Sequence, residues 1–155
     1  MLTDVFLVRH AESASNVEGR LCGIPPGHGL TARGRAQAEA AARQLLGRGV
    51  RPGRIVASHL LRAIETAQPL ARATGLRVEV DEDLREVRFG AWAGLSSAQL
   101  AGDAGFRAWC ADPDSCPPPS GERMSEVAWR VGRFCAAWRP SAHRARSSAS
   151  ATCTH

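Results

Sequence analysis

The sequence lacks lysine altogether, so its 20 basic residues are all arginine. It also lacks any apolar run near the roughly 20 residues that a membrane-spanning helix requires. Its first residues have neither the basic start nor the long apolar stretch of a signal peptide. These absences argue against a membrane partner and predict a cytoplasmic protein. A length of 155 residues is enough for one domain core but not for two.

Paired cysteine motifs are absent as well. The five cysteines are odd in number and irregularly spaced, without a C-x-x-C pair. This pattern indicates neither a disulfide framework nor a zinc site. We therefore expect no metal and no cofactor, and we expect reduced thiols at Cys22, Cys110, Cys116, Cys135 and Cys153.

Acidic residues are missing from the end of the chain. The net charge is +5, but three of those charges lie in a segment without Asp or Glu, at Arg139, Arg144 and Arg146. Residues 1–138 hold 17 Arg against 15 acidic residues, or +2, which is too balanced to predict nucleic-acid binding. Residues 139–155 have no apolar period. We therefore predict one domain over residues 1–138 and a disordered basic tail over 139–155.

The body of the sequence alternates short apolar runs with helical segments. We predict strands at residues 4–8, 54–57 and 76–80, the first of them buried. Thr31 can cap a helix that runs to about residue 48, and Gly75 can end a helix over residues 60–74. A last helix at about 121–138 has apolar residues at helical spacing, which predicts a buried stripe of Val127, Val131, Phe134, Cys135 and Trp138. Strands that alternate with helices predict an α/β fold.

The candidate site follows the first predicted strand. The string LVRHAES occupies residues 7–13 and puts Arg9 and His10 at the end of that strand, with Asn16 shortly after. A neutral imidazole can attack phosphorus and hold the phosphoryl group covalently, which divides hydrolysis into two steps. A guanidinium group can bind phosphoryl oxygens in bidentate fashion. His10 is therefore a candidate nucleophile and Arg9 a candidate phosphate ligand, although a lone Arg-His pair is more often a surface pair.

The same string closely resembles the R-H-G-E signature of the histidine phosphatase (phosphoglycerate mutase-like) superfamily, with Ala11 at the usual glycine. Further strings resemble family segments in the family's order, namely RLCG at 20–23, LTARGRAQA at 30–38, ASHLLRAIETA at 57–67 and LREVRFGAWAG at 84–94. The resemblance implies that Arg62 and Asn16 join Arg9 on the phosphate. It further implies that Glu86 is the general acid for the leaving oxygen, and that the substrate site is lined by Cys22 and Gly23.

The resemblance also implies the architecture and the activity. The expected fold is a three-layer α/β/α arrangement with a mostly parallel central sheet. The expected activity is that of a phosphatase, a phosphomonoester hydrolase, acting through a phosphohistidine on a small phosphorylated metabolite without a metal. In family members the region that corresponds to residues 95–119 would shape the substrate pocket, and because it is short here it favours a small substrate. A phosphoglycerate mutase-like phosphotransferase is the alternative within the family, and a homodimer is a further expectation.

One family element has no counterpart in the sequence. Family members carry a second essential histidine on a later strand with a V-V-x-H-G-type pattern. Here only His143 and His155 follow residue 138, and neither adjoins an apolar run. We therefore predict that the C-terminal strand and helix of the fold are missing, as a truncation or a frameshift in a GC-rich gene would cause.

The missing histidine leaves a second interpretation of the chain open. It is a catalytically inactive phosphate-binding remnant that retains Arg9, His10 and Arg62 but does not turn over. Two other histidines, His28 and His59, are expected at most to line the pocket.

Overall fold

The computed structural model describes residues 4–21 and 28–137. The predictions for Cys22, Gly23, Trp138 and the tail at 139–155 lie outside these residues. In the described part, strands β1 (Ile55–Ala57) and β2 (Val78–Val80) pair in parallel, with Ile55 opposite Val78. The helices are α1 Ala14–Val17, α2 Ala32–Gly47, α3 Leu61–Thr74, α4 Ser97–Leu100, α5 Ala104–Ala111 and α6 Met124–Ala137. Two 3-10 turns cover Glu82–Leu84 and Gly90–Trp92.

The two strands and α3 form a parallel β-α-β unit, which confirms the predicted second and third strands and the α/β class. Helix α3 ends at Gly75, which adopts φ 71° and so allows the chain to turn sharply into β2. Helix α2 packs against α3, and α3 also packs against both strands. Because the carboxyl ends of β1 and β2 lie at one edge, residues 58–62 and 81–86 meet there.

The start of α2 confirms the predicted cap. The Thr31 hydroxyl accepts a hydrogen bond from the backbone N–H of Gly34 at 2.9 Å, which satisfies one of the free donors in the first helical turn. The helix then runs to Gly47, within one residue of the predicted end.

The predicted first strand is wrong. Residues 4–8 form no strand, and their apolar side chains face solvent, with Val5 73% and Leu7 89% exposed. A strand is stable only when its backbone N–H and C=O groups pair with a neighbour, and an apolar run does not supply that neighbour. Within residues 4–21 and 28–137, no other segment pairs with this one.

The buried cluster of the second half is aromatic. Val87, Phe89, Trp92 and Leu100 form its centre, and Trp109 packs edge-on against Phe89 with ring centroids 5.7 Å apart. Such edge-to-face pairs add about 0.5–1.5 kcal/mol beyond the area they bury. The cluster fixes the chain between β2 and α6.

The predicted apolar stripe on α6 is wrong in part. Val127, Val131 and Phe134 are only half-buried and Cys135 is exposed, whereas the buried residue of α6 is Arg130. Helix α6 contacts the 3-10 turn at Glu82–Leu84, where the Asp83 carbonyl accepts from the Arg130 guanidinium, and the carboxylate of Glu122 accepts from the same guanidinium. Across the described ranges, no helix has the length and apolar content to span a bilayer.

Candidate active site

The histidine of the loop at residues 9–12 is half-buried and its ring orientation is defined. His10 Nδ1 lies 2.8 Å from the carbonyl oxygen of Ala11, which can only accept. In the neutral ring the proton must therefore be on Nδ1, and the lone pair is left on Nε2. This is the tautomer that a nucleophilic imidazole requires.

Hydrogen bonds tie the backbone of this loop to α3. The N–H of Ala11 donates to Thr66 Oγ1 at 3.0 Å, and the same hydroxyl donates to the carbonyl of Arg62 at 2.7 Å. Thr66 lies one helical turn after Arg62, so one hydroxyl connects the histidine loop to the turn of α3 that carries the arginine.

A second set of contacts ties the loop to α2. The N–H of Glu12 donates to Gln37 Oε1 at 3.0 Å, and its carbonyl accepts from the N–H of Thr31 at 3.1 Å. The loop backbone lies so close to the helix that a Cβ added to Gly34 would come within 2.9 Å of the Glu12 carbonyl carbon. The approach therefore requires glycine at position 34.

Arg62 is the buried cation of the site. Its side chain is 6% exposed, and its Nη2 lies 3.5 Å from Oε2 of Glu86. Its buried Nε has no hydrogen-bond partner within the described ranges. A buried donor without a partner carries a desolvation cost of about 1–3 kcal/mol, more when it is charged, which an anionic ligand would remove. Glu86 is more open, at 39% exposed, and its Oε1 accepts the Val87 N–H at 3.1 Å.

The structure thus pairs Arg62 with Glu86 and ties the backbone of the loop that carries His10 to the turn of α3 that carries Arg62. It does not bring in Arg9, which is exposed and forms no hydrogen bond or ion pair with another described residue. The reason is that Arg9 follows the segment that forms no strand, so no sheet fixes its direction.

Asn16 has a capping role in α1. It is exposed, and its Oδ1 accepts from the N–H of Ser13 at 3.1 Å and from the Ser13 hydroxyl at 2.9 Å. Only the Nδ2 donors of Asn16 are therefore suited to contact a phosphate. His59 lies beyond the end of β1, with Nδ1 3.0 Å from Oε2 of Glu82, and His28 is exposed.

Two glutamates that the sequence interpretation did not single out organise the site. Glu65 Oε2 accepts the N–H of Leu30 at 2.5 Å and so holds the chain before α2 against α3. The string ASHLLRAIETA, which predicted Arg62, also contains Glu65, and it was the sequence signal that could have identified this glutamate. Glu122 is 2% exposed and receives hydrogen bonds from Arg85 and Arg130, each at 2.9 Å. No local sequence signal pointed to it.

The charge state of Glu122 follows from these neighbours. Burial alone raises the pKa of its carboxyl, but the hydrogen bonds and charge of Arg130, with the Arg88 N–H and the charge of Arg85, lower the pKa by more. The net pKa is below the usual value, so the group is a buried carboxylate at neutral pH.

A cavity of about 340 Å³ has no residue of the histidine loop in its lining. It is lined by Asp83, Arg85, Ser125, Glu126, Trp129, Arg130 and Arg133. Its three arginines are ion-paired, with Glu122 or Asp83, and therefore offer little charge to a phosphate. In residues 4–21 and 28–137, no group of three His, Cys, Asp or Glu side chains could hold a metal ion. The three cysteines in these ranges are unpaired thiols.

The fold and the site together define an α/β protein with a histidine, a buried arginine and a carboxylate at the end of a parallel sheet. The chain belongs to the histidine phosphatase superfamily (branch 1), whose family model matches residues 5–155.

The chain is similar to named phosphatases. It is 43% identical over 128 residues to glucosyl-3-phosphoglycerate phosphatase of Mycobacterium tuberculosis, covering 81% of this chain and 56% of that protein. It is 33% identical over 134 residues to adenosylcobalamin/alpha-ribazole phosphatase of Escherichia coli, covering 85% and 64%.

A solved structure extends the similarity to the fold. The mycobacterial glucosyl-3-phosphoglycerate phosphatase with VO3 matches with a TM-score of 0.72 and 40% identity over 83% of this chain and 63% of that chain. This similarity confirms the predicted phosphoglycerate mutase-like α/β fold. The chain spans between about half and two thirds of the length of these relatives.

Proposed function

We propose that the protein is a phosphomonoester hydrolase that works through a phosphohistidine on His10. The observation that carries the proposal is the buried guanidinium of Arg62, which has an unpartnered Nε and is tied through Thr66 to the histidine loop. A buried cation on the helical turn that is tied to the histidine loop is suited to a dianionic phosphoryl group, because charge-assisted and bidentate hydrogen bonds are the strong ones.

In the first step, His10 Nε2 attacks phosphorus, the P–N bond forms and the P–O bond to the leaving group breaks. Arg62, and Arg9 once its side chain turns toward the ligand, bind the equatorial oxygens as their charge develops. Glu86 gives its proton to the leaving oxygen, so the product departs as an alcohol. The Nδ1 contact with the Ala11 carbonyl stabilises the positive charge that the ring acquires.

In the second step, water attacks the phosphohistidine and the P–N bond breaks. The Glu86 carboxylate accepts the proton of the attacking water, which restores the acid for the next cycle. Asn16, through Nδ2, and the residues at positions 22 and 23 are proposed to contact the same phosphate.

The proposed substrate is a small phosphorylated metabolite. The relatives reported above are named glucosyl-3-phosphoglycerate phosphatase and adenosylcobalamin/alpha-ribazole phosphatase, and both names support a phosphorylated metabolite as substrate. A cytoplasmic location is supported by the unpaired thiols of Cys110, Cys116 and Cys135, since unpaired cysteines suit a reducing compartment. A homodimer stays a prediction, and sedimentation velocity measures it.

A second candidate is a phosphate-binding protein without turnover. Two observations favour it. Arg9 has no fixed partner in the described part of the chain, and the only histidines there besides His10 are His28 and His59. Without a second histidine on the phosphoryl oxygens, the transition state loses one of its charge-stabilising donors.

Hydrolysis of p-nitrophenyl phosphate separates the two functions. If the protein is a hydrolase, we expect turnover that His10→Ala and Arg62→Ala each abolish. Phosphate and nitrophenol should be released in equal amounts, because water is the acceptor of the phosphoryl group. Arg72→Ala is the matched control, since Arg72 lies on the same helix but is 62% exposed and pairs with Glu39. A folded wild-type protein that binds phosphate but has no turnover above background would overturn the hydrolase and support the binding protein.

A further inference from the structure

The carboxylate of Glu122 holds the chain on both sides of Glu86. Its Oε1 accepts from the side chain of Arg85 at 2.9 Å, and its Oε2 accepts from the backbone N–H of Arg88 at 3.3 Å. The backbone N–H of Glu122 returns a hydrogen bond to the Arg88 carbonyl at 2.9 Å. One residue more than 30 positions later in the sequence thus fixes the residue before Glu86 and the second residue after it.

Arg130 holds Glu122 in place and links it to the backbone at Asp83. Its Nε and Nη2 donate to the two carboxylate oxygens at 2.9 and 3.2 Å, and its Nη1 donates to the Asp83 carbonyl at 2.6 Å. Both side chains are at most 3% exposed. A bidentate pair in this setting is rigid, because each partner would otherwise be an uncompensated buried charge.

Gly121 allows the backbone before Glu122 to lie close to the backbone of Arg88. A Cβ on Gly121 would lie 2.6 Å from the Arg88 carbonyl oxygen, so only glycine permits this spacing next to Glu122. The segment at residues 83–88 is therefore fixed by backbone contact as well as by charge.

We propose that Glu122, held by Arg130, is a positioning residue for Glu86. This inference rests on the proposed function, in which Glu86 protonates the leaving oxygen. Proton transfer needs the acid within hydrogen-bond distance of the leaving oxygen, and a site residue without a rigid supporting shell loses that geometry. Glu122 itself touches no substrate.

The dependence of the rate on the leaving group distinguishes positioning from general stability. Nitrophenolate leaves readily without a proton, whereas an alkoxide does not, so the acid matters mainly for an alkyl phosphate. The comparison uses the first turnover, because Glu86 acts as base in the later hydrolysis of the phosphohistidine whatever the substrate. In Glu122→Gln we expect the first-turnover release of glycerol from glycerol 2-phosphate to slow about 10-fold or more, toward the roughly 10²-fold loss of a missing acid. We expect the first-turnover release of nitrophenol from p-nitrophenyl phosphate to slow less than about 3-fold, at nearly unchanged half-saturating concentrations of both substrates.

The controls use the same chemical change elsewhere. Glu86→Gln should reproduce the leaving-group pattern, and the double variant Glu86→Gln with Glu122→Gln should lose little more, because both act on one proton transfer. Glu39→Gln, an exposed carboxylate on α2, should leave both rates unchanged. Arg85→Met removes only the hydrogen bond from Arg85 to Glu122 and keeps the Arg130 pair, so it should give the same leaving-group pattern with a smaller loss. Equal loss of the first-turnover rate on the two substrates, or additive losses in the double variant, would overturn the proposal.

Hydrogen exchange separates this proposal from the proposed function. In Glu122→Gln, one of the two acceptor oxygens that receive Arg85, Arg88 and Arg130 becomes an NH₂ group. Amide exchange should therefore rise at residues 83–88 and should stay unchanged in α2 and α3. A wild-type protein without turnover on either substrate refutes the proposed function, and the exchange data then decide the positioning of Glu86. Unchanged exchange at 83–88, or a uniform rise over the whole chain, would overturn it.

Discussion

Substitution of Gly34 by alanine should destabilise the protein although it improves the helix propensity of α2. The new Cβ would lie 2.9 Å from the carbonyl carbon of Glu12, and closer still to its oxygen. Carbon atoms at optimal separation are about 3.5–4.0 Å apart, so the histidine loop must move by roughly 1 Å. Overpacking against backbone costs up to about 3 kcal/mol, and alanine recovers about 1 kcal/mol of propensity, which leaves a destabilisation of up to about 2 kcal/mol.

Urea unfolding measures this change, and Gly132→Ala is its matched control. Gly132 lies inside α6 with nothing within 4 Å of an added Cβ, so alanine there should stabilise the protein by up to about 1 kcal/mol. Because a displacement of about 1 Å near the reacting groups can cost roughly 10²-fold in rate, Gly34→Ala should also lose most of its phosphatase activity. A Gly34→Ala protein as stable as the wild type would refute the close packing of the loop on α2.

Three further predictions concern the hydrogen bonds of the site and its support. Thr66→Val removes the acceptor of the Ala11 N–H and should cost about 1–3 kcal/mol in urea unfolding, together with phosphatase activity. Arg130→Met leaves the Glu122 carboxylate buried without its bidentate partner and should cost about 3–5 kcal/mol, part of which Glu122→Gln in the same chain should restore. Because the folded pKa of Glu122 is below its usual 4.5, its contribution to stability is complete above about pH 4.5 and is lost as the pH falls below it. The unfolding midpoint of Glu122→Gln should therefore vary less with acid pH than that of the wild type, and equal slopes would contradict the lowered pKa.

Local signals predicted those parts of the fold that depend on neighbouring residues. Thr31 caps α2 and Gly75 ends α3 because capping and positive φ are decided within a few residues. The strand at residues 4–8 was wrong because a strand needs a partner from elsewhere in the chain, and the described residues supply none. An apolar run predicts the tendency to pair but not the presence of the other strand.

For the candidate site, too, local motifs were predictive and contacts between distant residues were not. The motif strings predicted His10, Arg62 and Glu86, and the structure brings their three segments together. The contacts of Glu122 with Arg85 and Arg88 join residues more than 30 positions apart in sequence. An apolar stripe was predicted on α6, but buried Arg130 occupies its centre, because hydrophobic periodicity does not reveal a charge paired across the core.

The central claim is that His10 accepts the phosphoryl group, and trapping of the intermediate tests it most directly. The protein is mixed with p-nitrophenyl phosphate and quenched rapidly in alkali, where phosphohistidine persists, and the peptide that contains His10 is analysed by mass spectrometry. We expect one phosphoryl group on His10 in the wild type, more of it in Glu86→Gln with nitrophenyl phosphate as donor, and none in His10→Ala. A wild-type protein that hydrolyses the substrate without label on His10, or a His10→Ala protein that keeps its activity, would contradict the account.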